Sequence, residues 1–258
     1  MKVFDSKYEN LGYLFYRVIS PVFDPIRFVR GLYGYTWFLR DYLKFKGMKG
    51  SESLSVMNIY PALHDKSVRT SLDAHYFYQQ LWVFEEVMKS RPKEHVDVGS
   101  TYQMSGYLSK ITKATFVDIR PLEVDLKNLT SIPGDVTSLP FESDSINSLS
   151  CLHVLEHIGL GRYGDQVNPV GWKIACKELS RILSVNGILY LSVPVGRSRV
   201  CFNAHRVFSP NAILKEFSKL SLRDFSLVDD YGRYITNVSP KDYGNINYGC
   251  GMFTFTKG

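Results

Sequence analysis

Cysteine is scarce in this chain, and the few cysteines present are widely spaced. Four cysteines occur in 258 residues, and no two of them form a C-x-x-C pair. Zinc sites use closely spaced cysteines and histidines, and neither His153 nor His205 completes such a pattern with the cysteine near it. We therefore expect free thiols and no metal site. The cysteines are Cys151, Cys176, Cys201 and Cys250.

Long apolar runs are missing as well. No stretch approaches the ~18 uninterrupted apolar residues typical of a membrane-spanning helix. The first residues mix charges of both signs, and no apolar run long enough for an export signal follows them. The sequence thus predicts a cytoplasmic protein. It contains no internal repeat, and its 45% hydrophobic content is enough for the core of one α/β domain with a modest extension.

The net charge of +6 is concentrated near the N-terminus. Residues 1–50 contain nine Lys and Arg against four Asp and Glu, so the rest of the chain is close to neutral. This distribution argues against a nucleic-acid channel across the main domain. Residues 1–48 also interleave arginines with many aromatic side chains, and their prolines and glycines predict short helices. Such a segment can pack on the main domain, cover a pocket, form a homodimer surface or make peripheral contact with a membrane, and these alternatives stay open.

From residue 71 onward, helical and extended patterns alternate. Apolar residues recur at helical spacing over residues 71–89, and Ser71 or Asp73 is a suitable N-cap. The alternation that follows is typical of a parallel sheet wrapped by helices. We therefore predict a helical, aromatic-rich extension over residues 1–70 and an α/β domain over 71–258. The predicted strands are 95–98, 115–119, 129–132, 146–152, 188–193, 225–228 and 252–256, and the further helices are 105–110, 171–183 and 211–219.

Acidic residues recur at the ends of the first three predicted strands. Asp97 precedes Gly99 at a turn into a helix, Asp118 ends the second strand, and Asp135 follows the third. A glycine at such a strand end lets a ligand approach the backbone closely, and an acid after the second strand can accept both hydroxyls of a ribose. Each acid alone is a common cap or turn former. The joint pattern favours a nucleoside ligand.

These features resemble the class I S-adenosylmethionine-dependent methyltransferases over roughly residues 74–256. The resemblance continues through the segment 154–158 after the fourth strand and through the helix, turn and strand over 178–194. It implies a Rossmann-like, doubly wound, mostly parallel sheet of seven strands, with S-adenosylmethionine as the cofactor. By matching position, it implies that residues at the ends of the first, second and third strands contact the methionine part, the ribose and the adenine of the cofactor, respectively. The implied cofactor-binding residues are Asp97, Gly99, Ser100, Asp118, Asp135 and Cys151.

Within that superfamily, residues 155–165 and 202–206 resemble a methyltransferase-like family of unassigned activity, whose members often accompany sugar and glycan biosynthesis. This implies a small acceptor, such as a hydroxyl of a sugar, a glycan or a nucleotide-sugar precursor.

One departure from the superfamily concerns the turn after the first strand. Gly99 is followed by Ser100, Thr101, Tyr102 and Gln103, where the superfamily usually carries two or three glycines. Three consequences stay open: a different cofactor position, weak binding, or loss of methylation. The last defines a second class of function, a non-catalytic protein that binds a nucleoside or a partner in glycan assembly.

Methyl transfer to a hydroxyl needs a base as well as in-line positioning of the reactants. His157 follows the fourth predicted strand and His205 the fifth, so both can project over the same strand ends, and we predict them to be catalytic. Arg162 and Arg206 are predicted acceptor-binding residues, because guanidinium groups clamp phosphates and carboxylates. Glu156, just after the fourth strand, is predicted to bind the acceptor with them.

A histidine at such a place can also cap or pack a helix, since buried histidines with a backbone partner are common. That structural role is the alternative for His157, and it is what we expect for His153. Gly159, Gly161 and Gly164 define a loop without a packing pattern, which predicts a lid.

Overall fold

The computed structural model describes residues 7–258. These residues form two compact units, which divide between Ser71 and Leu72. Residues 1–6 of the aromatic-rich segment lie outside the described residues. No helix in the described part of the chain is both long enough and apolar enough to cross a membrane.

The N-terminal unit contains two helices, α1 (Lys7–Ile19) and α2 (Pro25–Lys46), and a short 3-10 turn at Val56–Asn58. Asp24 caps α2, because its side chain accepts a hydrogen bond from the backbone of Arg27, and a proline at the first position favours the start of a helix. The prediction of short helices is wrong for α2, which continues through two glycines for 22 residues. One of them, Gly34, is needed there, since a Cβ atom would lie 2.9 Å from that of Leu63.

The C-terminal unit is built on an eight-stranded sheet with the order β3-β2-β1-β4-β5-β10-β8-β9. The first five strands of that order are parallel, and the last three join in antiparallel fashion. All seven predicted strands are present, and a two-residue edge strand adds the eighth. The strands are β1 (Glu94–Val98), β2 (Lys113–Asp118), β3 (Leu129–Pro133), β4 (Ile146–Leu152), β5 (Leu183–Val195), β8 (Leu220–Val228), β9 (Tyr234–Ile235) and β10 (Gly249–Lys257), while β6 (Arg199–Cys201) and β7 (His205–Val207) form a separate ribbon.

Helices pack on both faces of this sheet, as the doubly wound prediction requires. One buried cluster includes Leu189 and Leu191, and another includes Tyr190 between them, because neighbouring residues of a strand point to opposite faces. Asp73 caps the first helix of the unit through the backbone of His75 and Tyr76. The helices are α3 (Ala74–Ser90), α4 (Tyr102–Leu108), α5 (Gly171–Ile182) and α6 (Pro210–Glu216).

The order of the strands determines where a ligand can bind. The chain runs outward from β1 through β2 to β3, and then returns to place β4 on the other side of β1. Such a reversal opens a crevice at the carboxyl ends of the central strands, where open α/β sheets bind their ligands.

Candidate functional site

A cavity of about 560 Å³ opens at this crevice. We call it the strand-end cavity. The turn after β1, the end of β2, the turn after β3 and the segment after β4 all contribute to its wall. Four of the predicted cofactor-binding residues line it, namely Gly99, Ser100, Asp118 and Asp135.

Gly99 forms the tightest part of the wall. Its φ of +67° is left-handed, and a Cβ atom on it would lie 3.1 Å from a methyl group of Val154 and 3.7 Å from Oδ2 of Asp118. Both the backbone conformation and the space therefore require glycine. The absence of a side chain keeps the carboxylate of Asp118 within reach of a ligand on this turn.

Asp118, at the end of β2, and Asp135, after β3, each use one carboxylate oxygen to accept hydrogen bonds within their own turn. Oδ1 of Asp118 accepts the backbone N–H of Arg120 at 2.8 Å. Oδ1 of Asp135 accepts both the backbone N–H and the hydroxyl of Thr137 at 2.7 Å. Oδ2 of either acid makes no hydrogen bond among the residues that the structure describes. Each acid thus keeps one acceptor oxygen for a ligand.

Asp97 and Cys151 do not line the cavity, which corrects the expectation that they contact a ligand directly. Asp97 is completely buried and accepts hydrogen bonds from the hydroxyls of Ser100, at 2.6 Å, Ser105, at 3.0 Å, and Ser150. Burial raises its pKa to about 6, although the three hydroxyls counteract that effect. Burial also raises the pKa of the Cys151 thiol, which lies inside the core. Asp97 therefore organises the turn from behind.

Thr101 occupies the place of the missing second glycine, and both Thr101 and the preceding Ser100 line the cavity. The hydroxyl of Ser100 donates to Asp97 and accepts the backbone N–H of Leu152, so Ser100 ties the turn after β1 to β4. Tyr102 is 62% exposed, and neither it nor Gln103 lines the cavity. The departure from the glycine-rich pattern thus leaves the space at the strand ends open.

A second, smaller cavity of about 210 Å³ adjoins the first, and three residues, Tyr76, His153 and His157, line both. We call it the histidine cavity. Among the residues that the structure describes, no aliphatic side chain lines it. Four of the predicted site residues meet here, and the full lining is Asp73, His75, Tyr76, His153, Glu156, His157, Arg162, His205 and Tyr248.

His157 presents one free ring nitrogen in this cavity. Its Nδ1 lies 2.7 Å from the carbonyl oxygen of Ala204, and since a carbonyl only accepts, Nδ1 carries the hydrogen. Arg162 Nη1 donates to the same carbonyl at 3.0 Å. It also lies 3.3 Å from Nδ1, and as a hydrogen bond this contact would place the ring hydrogen on Nε2, but the shorter contact of Nδ1 with the carbonyl outweighs it. Nε2 is left with its lone pair and lies 3.8 Å from Oε1 of Glu156. Burial lowers the pKa of His157, so the ring is neutral at pH 7.

His153 forms a buried pair with Glu156. Its Nδ1 lies 2.5 Å from Oε1 of Glu156, whose side chain is 1% exposed. Burial alone would lower the pKa of His153, but the Glu156 carboxylate and the thiol of Cys250 outweigh burial and hold it well above the ordinary value. Among the described residues, Nε2 of His153 and Oε2 of Glu156 are buried without a hydrogen-bond partner.

His153 is packed among aromatic rings at the end of β4. The ring stacks with those of Tyr76 and His75, at centroid distances of 5.2 and 6.0 Å, and the residue has a left-handed φ of +54° directly after β4. Sequence reasoning missed this placement, because nothing in the sequence signals a left-handed histidine at a strand end.

Of the remaining predicted residues, His205 lies in the wall of the histidine cavity, and Arg206 lies outside both cavities. His205 lines the histidine cavity beside Tyr248, and burial lowers its pKa. Arg206 lines neither cavity, which corrects its predicted contact with an acceptor. Its guanidinium donates to the carbonyl oxygen of Ile158 at 2.6 Å, and its backbone N–H donates to that of Glu156 at 2.9 Å. Arg206 thus fixes the segment that carries Glu156 and the neighbouring His157.

The glycine-rich loop lies at the strand-end cavity, which it lines through Gly159, Tyr163, Gly164 and Asp165. Oδ2 of Asp165 accepts the backbone N–H of Gly159 at 2.7 Å and closes the loop on itself. The ring of Tyr163 has the guanidinium groups of Arg120 and Arg162 at 4.7 and 5.0 Å from its centroid. Tyr163 is a wall residue that sequence reasoning did not select.

Comparison with known proteins places the fold in a class. The YcgJ protein from Bacillus subtilis has a TM-score of 0.51 at 13% identity, covering 70% of this chain and 98% of its own. The N-methyltransferase NodS from Bradyrhizobium japonicum WM9, solved in complex with S-adenosylhomocysteine, has a TM-score of 0.50 at 10% identity, covering 76% of this chain and 91% of its own. At such identities the likeness shows the fold alone, and it confirms the predicted Rossmann-like α/β fold.

One family model matches part of the chain. Residues 139–231 match DUF268, a family described as Caenorhabditis protein of unknown function. The matched segment includes His157, Arg162 and His205 of the histidine cavity. The comparison with curated proteins finds no match.

Proposed function

We propose that this protein transfers a methyl group from S-adenosylmethionine to a small acceptor. The observation that carries the proposal is the junction of the two cavities at Tyr76, His153 and His157. The strand-end cavity offers acceptor oxygens suited to a nucleoside, and the histidine cavity offers a neutral imidazole with a free lone pair. Cofactor and acceptor would meet where the cavities join.

The residues of the strand-end cavity fit the cofactor. Two glycines line this cavity at places where an added side chain would crowd its neighbours, since a Cβ atom on Gly134 would lie 2.5 Å from Val117 and one on Gly99 would meet Val154. In the proposed assignment the turn at Gly99 and Ser100 holds the methionine part, Asp118 the ribose and Asp135 the adenine. Bound there, S-adenosylmethionine supplies an electrophilic methyl group on a sulfonium. The S-adenosylhomocysteine bound to NodS, a protein of the same fold, supports this assignment.

The chain itself must orient the acceptor hydroxyl and take its proton. Nε2 of His157 is the proposed proton acceptor, because its lone pair is free and its ring is neutral. His205 is proposed to orient the same hydroxyl from the facing side of the cavity. Arg162 is proposed to bind the rest of the acceptor, whereas the side chain of Glu156 is 1% exposed and is not assigned a direct contact with it.

For the acceptor we propose a sugar hydroxyl, in a glycan or a nucleotide-linked precursor. The histidine cavity has room for about seven water molecules at ~30 Å³ each, so it suits one small ring. Its imidazoles, tyrosines and carboxylates can exchange hydrogen bonds with several hydroxyls, while the rings of Tyr76 and Tyr248 offer faces for stacking.

For the N-terminal unit we propose peripheral contact with an anionic membrane surface. Large apolar side chains of α2 are exposed along much of its length, among them Phe28, Leu32, Leu39 and Leu43. Basic residues outnumber acidic ones in this part of the chain, which suits anionic lipid. Co-sedimentation with vesicles containing phosphatidylserine tests this role. Protein that stays in the supernatant and forms dimers would instead assign the surface to a second copy.

Calorimetric titration with S-adenosylmethionine, and separately with S-adenosylhomocysteine, tests the central proposal without requiring the acceptor. We expect binding of both in the micromolar range. A screen for methyl transfer, beginning with nucleotide sugars, then identifies the acceptor. Binding without transfer to any sugar would favour the non-catalytic alternative, in which the protein holds a nucleoside or a partner in glycan assembly. Absence of binding would refute the cofactor assignment.

A further inference from the structure

One carboxylate oxygen in the histidine cavity faces two imidazole rings. Oε1 of Glu156 lies 2.5 Å from Nδ1 of His153 and 3.8 Å from Nε2 of His157. The first distance is that of a hydrogen bond, in which the protonated ring donates to the carboxylate. This bond fixes Glu156, whose side chain is nearly inaccessible to solvent.

The distance between Oε1 of Glu156 and Nε2 of His157 allows an interaction of charges without a hydrogen bond. At 3.8 Å, Nε2 of His157 is too far from Oε1 for a hydrogen bond, so its lone pair stays available to an acceptor hydroxyl. The same distance is short enough for an opposite charge to favour a protonated imidazole. Glu156 therefore leaves the neutral ring free and becomes an ion-pair partner once Nε2 carries a proton.

Other charged groups near His157 act in the opposite direction. Arg162 and the protonated ring of His153 both disfavour a proton on His157, while Glu156 favours it. His205 lies in the same cavity, and the edge of His157 meets the ring of Tyr163 at a centroid distance of 5.5 Å. Among the described residues, Glu156 is the acid that lies within 4 Å of Nε2.

We propose that Glu156 is a positioning residue for the methyl transfer proposed above, on which this inference rests. Its carboxylate, fixed by His153, stabilises the proton that Nε2 of His157 takes from the acceptor. In this step the acceptor oxygen forms a bond to the methyl carbon, and the carbon–sulfur bond breaks with its electron pair going to sulfur. The hydroxyl proton moves to Nε2, where it faces the carboxylate.

The test measures the protonation of His157 by NMR in the full-length protein with isotope-labelled histidine. The chain has six histidines, and the signal missing from His157→Gln identifies the right one. In Glu156→Gln, His153 also loses the proton that Glu156 holds on it, and this loss offsets part of the effect on His157. We therefore expect the pKa of His157 to fall by less than about 1 unit, the lower end of the usual effect of a close opposite charge. The matched control is Asp73→Asn, which removes an acid from the same cavity and keeps the N-cap of α3. We expect little change in the pKa of His157 in this control.

Two results would overturn the proposal. The first is a pKa of His157 that changes no more in Glu156→Gln than in Asp73→Asn. The second needs no variant: nitrogen chemical shifts of the wild-type protein that place the hydrogen of neutral His157 on Nε2 would remove the free lone pair. Titration of the same samples with S-adenosylhomocysteine tests the cofactor assignment separately. A fall in the pKa without nucleoside binding would preserve the charge relationship and reject the methyltransferase function.

Discussion

Nδ1 of His157 and the carbonyl oxygen of Ala204 are joined by a hydrogen bond of 2.7 Å, which links the segment after β4 to the turn of the β6–β7 ribbon. Arg162 donates to the same carbonyl, so two side chains from the segment after β4 donate hydrogen bonds to the ribbon. Arg206, on the ribbon, returns hydrogen bonds to the carbonyls of Glu156 and Ile158. The ribbon thus fixes both the tautomer of His157 and the backbone that carries it.

Replacing His157 with glutamine tests the assigned proton acceptor. Glutamine preserves polarity but cannot take a proton at neutral pH. We expect kcat for the acceptor found in the screen to fall by about 10²- to 10⁴-fold, the usual contribution of a general base. The affinity for S-adenosylhomocysteine should remain within about twofold of wild type, because the bound nucleoside is assigned to the acids of the strand ends. Wild-type kcat in this variant would exclude His157 as the base.

Replacing Asp118 with alanine tests the ribose site. Its free oxygen is the group assigned to the ribose hydroxyls, so its loss should weaken binding of S-adenosylhomocysteine by about 1–3 kcal/mol, the scale of hydrogen bonds to a charged group. Calorimetry measures the change. Asp125→Ala is the matched control, because Asp125 is an exposed acid that lies outside both cavities. Equal affinity in the two variants would contradict the assignment.

Much of the fold was predictable from sequence, because periodicity reports burial directly. The alternating apolar runs predicted all seven long strands. The acids at the strand ends predicted that Asp118 and Asp135 lie at the cavity. The full set of hydroxyl contacts of Asp97 was not predictable, because one of them comes from Ser150, which is far from Asp97 in sequence and meets it only through the pairing of β1 with β4. The same limit applies to Arg206, since a buried arginine bonded to backbone carbonyls and an exposed one that clamps a ligand look alike in sequence.

Gly99 and Gly106 form a matched pair for testing the turn after β1. A Cβ atom on Gly99 would meet Val154, and its left-handed backbone disfavours any side chain, so we expect Gly99→Ala to destabilise the protein by about 1–3 kcal/mol. It should also weaken nucleoside binding. Gly106 lies inside α4 with nothing within 4 Å of an added Cβ. Gly106→Ala should therefore stabilise the helix by up to about 1 kcal/mol.

Urea unfolding measures both changes in stability, and titration with S-adenosylhomocysteine measures binding. If Gly99→Ala were as stable as wild type and bound the nucleoside normally, the turn would have to adopt a different conformation from the one described. Loss of binding in Gly106→Ala would show that α4, rather than the turn itself, controls the site.

Asp97 should make the stability of the protein depend on pH in a direction unusual for a carboxyl group. Its pKa is raised to about 6 by burial from an ordinary value of 3.8, so between these values the folded protein binds a proton that the unfolded chain releases. Its contribution to stability is therefore fully present below about pH 4 and is lost as the pH rises to about 6. A shift of this size corresponds to about 3 kcal/mol.

Asp97→Asn removes this titration while keeping an oxygen that accepts from the serine hydroxyls. We expect the free energy of unfolding of wild type, relative to that of Asp97→Asn, to fall between pH 4 and pH 6 and to stay constant from pH 7 to pH 8. Urea unfolding of both proteins at each pH measures the difference and cancels the carboxyl groups that they share. A difference that rises with pH would mean that the three hydroxyls outweigh burial and keep Asp97 ionised. The turn after β1 would then be built around a buried charge.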